Sequence, residues 1–382
     1  MDYQNKNMNY EDRYYYLAFN YFQKIGPVNI KRLEKFFPNM QQAYLANFGE
    51  LKRAGLRESL INDFIFWRNS PAASIENMIA RLEKDKISFL TWQDNDYPAL
   101  LKEISDPPPL LYYKGRLNRE TKNRLAVVGS RRHSAYAEKI ITELLPTVIK
   151  AGIEIISGLA LGIDTLAHQV ALDFQGITLA ILGSGLDDNS IYPTANYWLA
   201  KNIINNGGAI ISEFPPGTPP YKQNFPQRNR IISGLSQATL VIEAKTKSGA
   251  LITAAQALEQ NREVLTVPGN IFSEFSSGPN ELIKAGAKTI TTAEDILETF
   301  RLENDESATN KKSPKKIIYQ PMNTNEKMVY DLIKQANERA EKITTDEIIK
   351  ITKLDTTTIN STLSILEIQG AIKNNGFGYE LG

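Results

Sequence analysis

The chain has 382 residues, of which 42% are hydrophobic and 23% are charged. This length predicts two or three domains. The 44 Lys and Arg residues and 43 acidic residues give a formal net charge of +1, so any site for a polyanion has to be a local concentration of charge. The sequence has no cysteine and only two histidines, His133 and His168. These counts exclude disulfides, thiolate metal sites, a cysteine nucleophile and a histidine-rich metal site.

The first part of the chain has a helical pattern. Residues Met1 to Tyr10 are polar, and apolar residues recur at three- and four-residue spacings from about Asp12 to Leu90, which predicts an all-α domain over residues 1–85. No apolar run approaches the ~20 residues of a membrane span. We therefore expect a soluble, cytoplasmic protein with no membrane partner.

Short β-branched runs alternate with helix-length segments in the middle of the chain. Most of the runs are almost unbroken apolar stretches, as in strands that are covered on both faces. The pattern predicts a doubly wound, mostly parallel α/β sheet over residues 86–302. The predicted strands are Leu125–Val128, Glu154–Ile156, Thr178–Leu182, Ala209–Ser212, Leu240–Ile242 and Val264–Val267.

The C-terminal part follows a polar linker, residues 303–321, whose composition cannot bury much surface. Three short helical patterns and a glycine-containing tail follow, which predict a winged-helix-like domain over residues 322–382. Its expected recognition helix, Asp355 to Gln369, contains Asp355 and Glu367 but no Lys or Arg. An acidic helix suits a phosphate-lined groove poorly, so this domain is interpreted as an interaction module before a reader of duplex DNA.

Glycine-bearing turns follow several of the predicted strands at the edge where open parallel sheets bind ligands. Glycine lets the backbone approach a ligand, and free N–H groups at a helix start can bind an anion. The same glycines also suit ordinary tight turns, so both interpretations stay open for each turn. The turns are Gly129–Arg132, Gly158–Gly162, Gly183–Gly185 and Ser248–Leu251.

The turns do not match a nucleotide-cofactor motif. A dinucleotide fingerprint needs G-x-G-x-x-G, but Arg131 and Ser134 occupy its second and third glycine positions after Gly129. The Gly183-Ser184-Gly185 turn is followed by Asp187 and Asp188, and the sequence has no Gly-Lys dipeptide for a P-loop. A nicotinamide or ATP enzyme is therefore disfavoured, and no cofactor is expected.

Positive charge is concentrated in two stretches. Residues 121–134 contain Lys122, Arg124, Arg131 and Arg132 with no acid, and residues 214–258 contain five basic residues against Glu243 alone. The second stretch also contains Tyr221 and Phe225. Cations that neutralise phosphates beside a ring that stacks on bases are typical of single-strand binding. The alternative is that Phe225 belongs to the core and the charges form a solvated surface.

The motifs from about Tyr97 to Ala287 resemble the DNA-processing protein A family (DprA, also called Smf). The R-N-R-I-I-S-G-L-S run at Arg228–Ser236 is the most specific of them. The others include Val127-Val128-Gly129-Ser130-Arg131, Ser157–Asp164, Leu182–Gly185, Tyr192-Pro193, Ser248–Ala254 and Val267-Pro268-Gly269.

This resemblance implies a Rossmann-like domain that binds single-stranded DNA without catalysis. It further implies protection of incoming strands, loading of the RecA recombinase in natural transformation, and a homodimer. Arg131 matches the arginine of the family's Gly-Ser-Arg loop, and Lys222 and Phe225 match a lysine and an aromatic residue three places apart. The Ile25–Leu33 segment is similar to the helix-hairpin-helix turn of the family's sterile-alpha-motif-like (SAM-like) domain, but Val28 stands at the second glycine position, which favours a packing role.

Each candidate residue has an expected role. Arg131 would clamp a phosphate, while Gly129 and Ser130 would offer backbone N–H groups. Arg228 and Arg230 alternate around Asn229, so in an extended segment they would point the same way, and Glu213 would organise this arginine-rich run. His168, four residues after Asp164, is expected to make a structural hydrogen bond. The predicted DNA-binding set is Gly129, Ser130, Arg131, Lys222, Phe225, Arg228, Asn229, Arg230, Ser248 and Gly249.

A nucleotide-processing enzyme on the same scaffold is the alternative. The phosphoribohydrolase signature is similar to P-G-G-x-G-T-x-x-E, with the glutamate one turn into a helix. The nearest stretch here, Ser248–Ala255, has no carboxylate. A dinucleotide-dependent oxidoreductase is a third possibility, which the missing glycines weaken.

Overall fold

The computed structural model describes residues 11–117, 123–301, 324–338, 342–368, 371–374 and 378–381. The chain divides into two compact units, Met1–Ala308 and Thr309–Gly382. The predicted linker 303–321, Lys122 and residues 375–377 of the predicted tail lie outside the described residues. Among the helices that are described, none is both long and apolar enough to cross a membrane.

The N-terminal helices pack on the sheet through a shared core. Phe19 and Phe64 stack at 5.1 Å between ring centroids, and the buried Tyr112 of the sheet donates a hydrogen bond to Asn20 at 2.8 Å. Pro27 begins the second helix directly after Gly26, at a position where its missing N–H costs nothing. The helices are α1 (Arg13–Phe22), α2 (Pro27–Phe36), α3 (Met40–Leu45), α4 (Phe48–Arg53), α5 (Glu58–Arg68) and α6 (Ile75–Lys84).

Nine strands form one sheet in the described part of the first unit. They are β1 (Ser88–Thr91), β2 (Leu110–Gly115), β3 (Arg124–Val128), β4 (Glu154–Ser157), β5 (Thr178–Ile181), β6 (Ala209–Ser212), β7 (Ala238–Val241), β8 (Glu263–Thr266) and β9 (Lys288–Thr289). The intervening helices are α7 (Ala99–Lys102), α8 (Ala135–Lys150), α9 (Ile163–Asp173), α10 (Tyr197–Asn205), α11 (Asn224–Gly234), α12 (Gly249–Glu259), α13 (Ser277–Lys284) and α14 (Ala293–Arg301).

The strand order is β1-β2-β6-β5-β4-β3-β7-β8-β9. In this spatial order, the seven strands from β6 through to β9 are parallel to one another. At the other end of the sheet, β1 pairs antiparallel with β2, and β2 pairs antiparallel with β6. The chain builds outwards from β3 on one side and then returns to place β7 on the other side. This reversal between β3 and β7 is the switch point where doubly wound sheets bind ligands.

The predicted doubly wound, mostly parallel sheet is confirmed, and all six predicted strands are present with ends within two residues. The sequence did not predict β1, β2 or β9. β1 overlaps the end of the stretch from Asp12 to Leu90 that has a helical pattern, so the helical prediction for residues 88–90 is wrong.

The described part of the second unit contains three helices, α15 (Thr324–Glu338), α16 (Thr345–Thr352) and α17 (Thr356–Ile368), followed by β10 (Ile372–Asn374) and β11 (Tyr379–Leu381). The two strands pair antiparallel. This order agrees with the three helices and hairpin expected from the sequence. Asp355, at the start of α17, accepts a hydrogen bond from the Thr358 N–H at 2.9 Å, so it caps this helix.

His168 is buried in α9 beneath the sheet. Its Nδ1 lies 2.7 Å from Thr178 Oγ1, which itself donates to Ile155 O at 2.8 Å. Because the threonine proton goes to Ile155, we assign His168 Nδ1–H as the donor to Thr178 Oγ1. Burial, with a smaller contribution from the charge of Arg228, lowers the pKa of His168 to about 3. The expected structural hydrogen bond is therefore present.

This burial predicts a loss of stability in mild acid. As pH falls below 6.5, the ordinary pKa of histidine, His168 binds a proton in the unfolded chain but stays neutral in the native chain. The free energy of unfolding should then fall by about 1.4 kcal/mol per pH unit from this residue. Urea unfolding at several pH values above about 5 should show the slope, and the difference from a His168 variant isolates this residue because the buried carboxylates are common to both proteins. His168→Asn should flatten it, whereas substitution of the exposed His133 should leave it unchanged; equal slopes for all three proteins would contradict this assignment.

Candidate nucleic-acid interface

A crevice of about 440 Å³ opens at the switch point, above the carboxyl ends of β3 and β7. Eight of the ten predicted DNA-binding residues line it, whereas Lys222 and Arg230 do not. The lining residues are Val128, Gly129, Ser130, Arg131, Ala160, Asp164, Phe225, Pro226, Arg228, Asn229, Ile232, Lys245, Lys247, Ser248, Gly249, Ala250 and Thr253.

The loop after β3 presents Arg131 to solvent at the wall of the crevice. A Cβ atom on Gly129 would lie 2.6 Å from Ile163, so this glycine lets the loop pack against α9. The Ser130 N–H donates to Glu243 O at 2.8 Å, and the Ser130 hydroxyl hydrogen-bonds with Arg132. The expectation that the Ser130 N–H is available to an anion is therefore wrong. In this loop the Arg131 guanidinium is the cationic group that faces the crevice.

Phe225 is half-buried and lies beside Arg131. The Arg131 Cζ atom is 5.6 Å from the centroid of its ring, within the range of a cation–π contact. The ring also packs over Gly183, where a Cβ atom would lie 3.1 Å from it, and lies 5.9 Å from the ring of Tyr192. Phe225 is thus supported from below and reachable from the crevice, unlike a core residue.

Arg228 and Arg230 lie in α11 rather than in an extended segment, so the expectation that they point the same way is wrong. A helix turns about 200° over two residues, which sends these side chains in different directions. Their polar run lacks apolar periodicity, which is why the sequence did not reveal the helix. Both arginines are 5% exposed and bound to protein groups.

Arg228 lies at the base of the crevice. Its guanidinium donates to Gly158 O at 2.6 Å and also to Ile181 O. It faces the buried carboxylate of Asp164, which accepts hydrogen bonds from the N–H groups of Gly158 and Ala160. Burial raises the pKa of Asp164, and the positive charge of Arg228 opposes that shift. Arg228 therefore ties α11 to the ends of β4 and β5.

Arg230 points away from the crevice into a second polar cluster. It lies 2.9 Å from Asp106 and 2.7 Å from Glu213, whose carboxylate accepts two hydrogen bonds from its guanidinium. The expectation that Glu213 organises the arginine-rich run agrees with this geometry. A DNA contact by Arg230 would require breaking these ion pairs.

Asn229 and the start of α12 form the opposite wall. Asn229 Nδ2 donates to Gly249 O at 3.3 Å, and the Ser248 side chain caps α12. Lys245 and Lys247 follow β7 on this wall and are exposed. Both lysines belong to the basic stretch of residues 214–258 but are absent from the predicted set, although their place directly after a predicted strand is a signal for this site.

The two basic stretches contribute unequally to this edge. Lys222 is exposed in the turn just before α11, three residues from Phe225. Arg124, in contrast, is the first residue of β3, so it lies at the amino ends of the strands, away from the crevice. It is paired with Glu154 at 2.9 Å. The charge of Arg124 therefore does not contribute to the crevice. Among the residues that the structure describes, no group of three or more acidic or histidine side chains could hold a metal ion.

Residues 88–301 match the sequence family described as DNA recombination-mediator protein A. The chain belongs to this family, as the motifs indicated. It is 45% identical to Protein Smf of Escherichia coli over 231 residues, which cover 60% of this chain and 61% of that protein. It is 39% identical to DNA processing protein DprA of Streptococcus pneumoniae over 284 residues, covering 72% of this chain and 99% of the relative. The chain thus spans less than two thirds of the E. coli relative.

Solved structures of family members share the fold. DNA processing protein A from Streptococcus pneumoniae has a TM-score of 0.63 and 33% identity, over 76% of this chain and 98% of that one. The protein from Helicobacter pylori has a TM-score of 0.51 and 30% identity, over 57% of this chain and 97% of that one. That structure was described for its unique single-stranded DNA binding mode.

The buried ion pairs predict a structural role for Arg230. Arg230→Met should lower the free energy of unfolding by about 3–5 kcal/mol, because it leaves the Glu213 charge buried without its partner. Asp106→Asn should cost less, because the Asp106 side chain is 52% exposed and Glu213 still pairs with the arginine. Urea unfolding measures both changes. An Arg230→Met protein of normal stability that has lost DNA affinity would instead support the sequence-based assignment of Arg230 to the DNA site.

Proposed function

We propose that this protein binds single-stranded DNA in the crevice at the switch point of its sheet. The observation that carries this proposal is that the exposed Arg131, Lys245 and Lys247 line one crevice with the accessible ring of Phe225, which Arg131 contacts. Lys245 is also paired with Glu274 at the surface, and because its side chain is 53% exposed this pair can be exchanged for a phosphate at little cost. Cations along a groove bind a phosphate backbone, and an aromatic ring stacks on any base. A phosphate on Arg131 would bring its attached base next to Phe225.

The proposed contacts divide into two groups. Arg131, Lys222, Lys245 and Lys247 would bind phosphates, and Phe225 would stack on a base. Gly129, Ser130, Asn229, Ser248 and Gly249 would shape the walls of the crevice. Arg228 and Arg230 would hold α11 in place, since their guanidinium groups already bind protein atoms.

We assign the site a binding role rather than a catalytic one. The carboxylate that lines the crevice, Asp164, accepts hydrogen bonds from two backbone N–H groups and faces Arg228. An acid held in this way supports the loop after β4 and is poorly placed to move a proton on a substrate. The start of α12, where a phosphoribohydrolase would place its glutamate, carries Thr253 and Ala254.

Family membership extends the proposal to the cellular role. The family is described as a recombination mediator, which agrees with loading the RecA recombinase on single strands during natural transformation. A homodimer belongs to the same proposal. RecA loading and the homodimer rest on family membership, whereas the DNA site rests on the geometry of this chain.

Salt dependence tests the DNA site. Log affinity for a single-stranded oligonucleotide should fall linearly with log salt, with a slope of about −0.7 per phosphate neutralised. Arg131→Ala should make that slope shallower by about 0.7 and weaken binding by about tenfold or more. Lys222→Glu should act in the same direction. Fluorescence anisotropy of a labelled strand measures both quantities, with a duplex of the same length for comparison.

Arg132→Ala is the matched control for Arg131→Ala. Arg132 is the exposed neighbour in the same loop, but it does not line the crevice. Its loss removes the same net charge from the protein, so a specific contact by Arg131 requires a clearly larger effect at position 131. Affinity indifferent to salt and to both Arg131→Ala and Lys222→Glu would reject the DNA site.

The homodimer is tested by sedimentation equilibrium of the wild-type chain. We expect a mass of twice the 42.9 kDa chain at micromolar concentration. The measurement should be repeated with an oligonucleotide present, since binding of DNA to a dimer alone would strengthen association. Only monomer under both conditions would contradict the homodimer and leave the DNA site in place.

A further inference from the structure

The segment after β5 carries two exposed aromatic rings, and the first of them lies beside Phe225 of the crevice. Tyr192 is 45% exposed and Trp198 is 73% exposed. The segment from Tyr192 to Trp198 contains a short helical turn at Thr194–Asn196 and then enters α10. A ring left in water gains little from folding, so clustered exposed rings beside a binding site indicate a ligand that covers them.

The Tyr192–Trp198 segment is joined to the crevice by direct contacts. The Tyr192 ring lies 5.9 Å from that of Phe225. Asn196 Nδ2 donates to Leu159 O and Thr165 Oγ1, both at 2.8 Å, and thereby fixes the segment to the loop after β4. Ala160 of that loop lines the crevice. The two exposed rings are therefore held on a support that is continuous with the proposed DNA site.

The charges around this segment are compatible with a polyanion. Asp188 is the exposed acid nearby, and it is paired with Lys201 at 2.7 Å and with Lys114 at 3.3 Å. Lys201 also lies 5.1 Å from the centroid of the Tyr197 ring, and this ring lies 5.3 Å from that of Trp198. The two amines therefore neutralise the exposed carboxylate of Asp188, and the neighbouring Asp187 is buried and hydrogen-bonded to Ser190 and Gly217.

We propose that Tyr192 and Trp198 form a second stacking position for bases of the strand that leaves the crevice past Phe225. This inference rests on the proposed DNA site and extends its length. Six residues separate the two rings along the chain, so their Cα atoms are at most about 21 Å apart. Trp198 is not among the residues that line the crevice, so we expect a short oligonucleotide confined to the crevice to leave it uncovered and a longer strand to extend over it.

Oligonucleotide length and base content test this position. For an oligothymidylate of about 20 nucleotides, Trp198→Ala should weaken binding by about tenfold, the effect of losing one stacked base. For a strand of about 4 nucleotides, near the smallest site size of single-strand binders, the effect should be small. On an abasic strand of the longer length, which keeps the phosphates and removes the bases, wild type and Trp198→Ala should bind equally.

Two further variants, Trp198→Phe and Phe174→Ala, serve as controls for Trp198→Ala. Trp198→Phe keeps a ring and should retain most of the affinity. Phe174 is 42% exposed, with Lys150 Nζ 5.5 Å from its ring centroid, but it lies at the opposite edge of the sheet before β5. Its substitution by alanine should not change binding of any strand. Thermal unfolding of each variant checks that the fold is intact.

Tryptophan fluorescence gives a second readout. The chain has three tryptophans, of which Trp92 is buried and Trp67 is half-buried among the N-terminal helices. The long oligothymidylate should quench fluorescence in the wild type, and Trp198→Phe should abolish that change. An unchanged Trp198 signal, or equal affinities of wild type and Trp198→Ala for the long strand, would overturn the second position while Arg131-dependent binding still supports the crevice. Failure of the wild type to bind any strand would overturn the proposed function as well.

Discussion

The arrangement of the whole site depends on the burial of one guanidinium group. Arg228 reaches from α11 to the carbonyl groups of Gly158 and Ile181, at the ends of neighbouring strands. Buried carbonyl groups need donors, and a buried charge needs polar partners, so each group satisfies the other. The same contact fixes the orientation of α11. That orientation brings Phe225, three residues earlier, to the rim of the crevice.

Close packing of glycines makes this arrangement rigid. A Cβ atom on Gly158 would lie 2.7 Å from both the Arg228 guanidinium and the Asp164 carboxylate. Gly162 has a φ of +83°, and a Cβ atom there would lie 2.3 Å from Ser130 O. The glycines of these turns therefore serve loop-to-loop contact, which is the ordinary structural reading that the sequence left open. Rigid loops in turn hold Arg131 at a defined place, which lowers the entropy that binding has to overcome.

Most of the sheet could be predicted because its central strands are buried on both faces and appear as unbroken apolar runs. The edge strands β1 and β9 lack that pattern, since β1 adjoins the helical region and β9 has only two residues. β2 was missed although its Leu110–Tyr113 run is apolar and largely buried. The site was predictable in its location, because Gly129–Arg131 and Ser248–Gly249 follow predicted strands. The directions of Arg228 and Arg230 were not, because only the folded chain shows which carbonyl or carboxylate groups lie near a given arginine.

Arg131 is exposed at the wall of the crevice, whereas Arg228 and Arg230 are buried. This difference affects how mutational screens of this family are interpreted. An alanine scan scored only by loss of DNA retention would rank Arg131, Arg228 and Arg230 alike, although the last two are buried supports. Their substitution would reduce the amount of native protein rather than remove a contact. The most recognisable run of the sequence, Arg228–Ser236, therefore has an architectural role through its two buried arginines. The proposed ligand contacts, Arg131 and Phe225, lie at the rim of the crevice that this run supports.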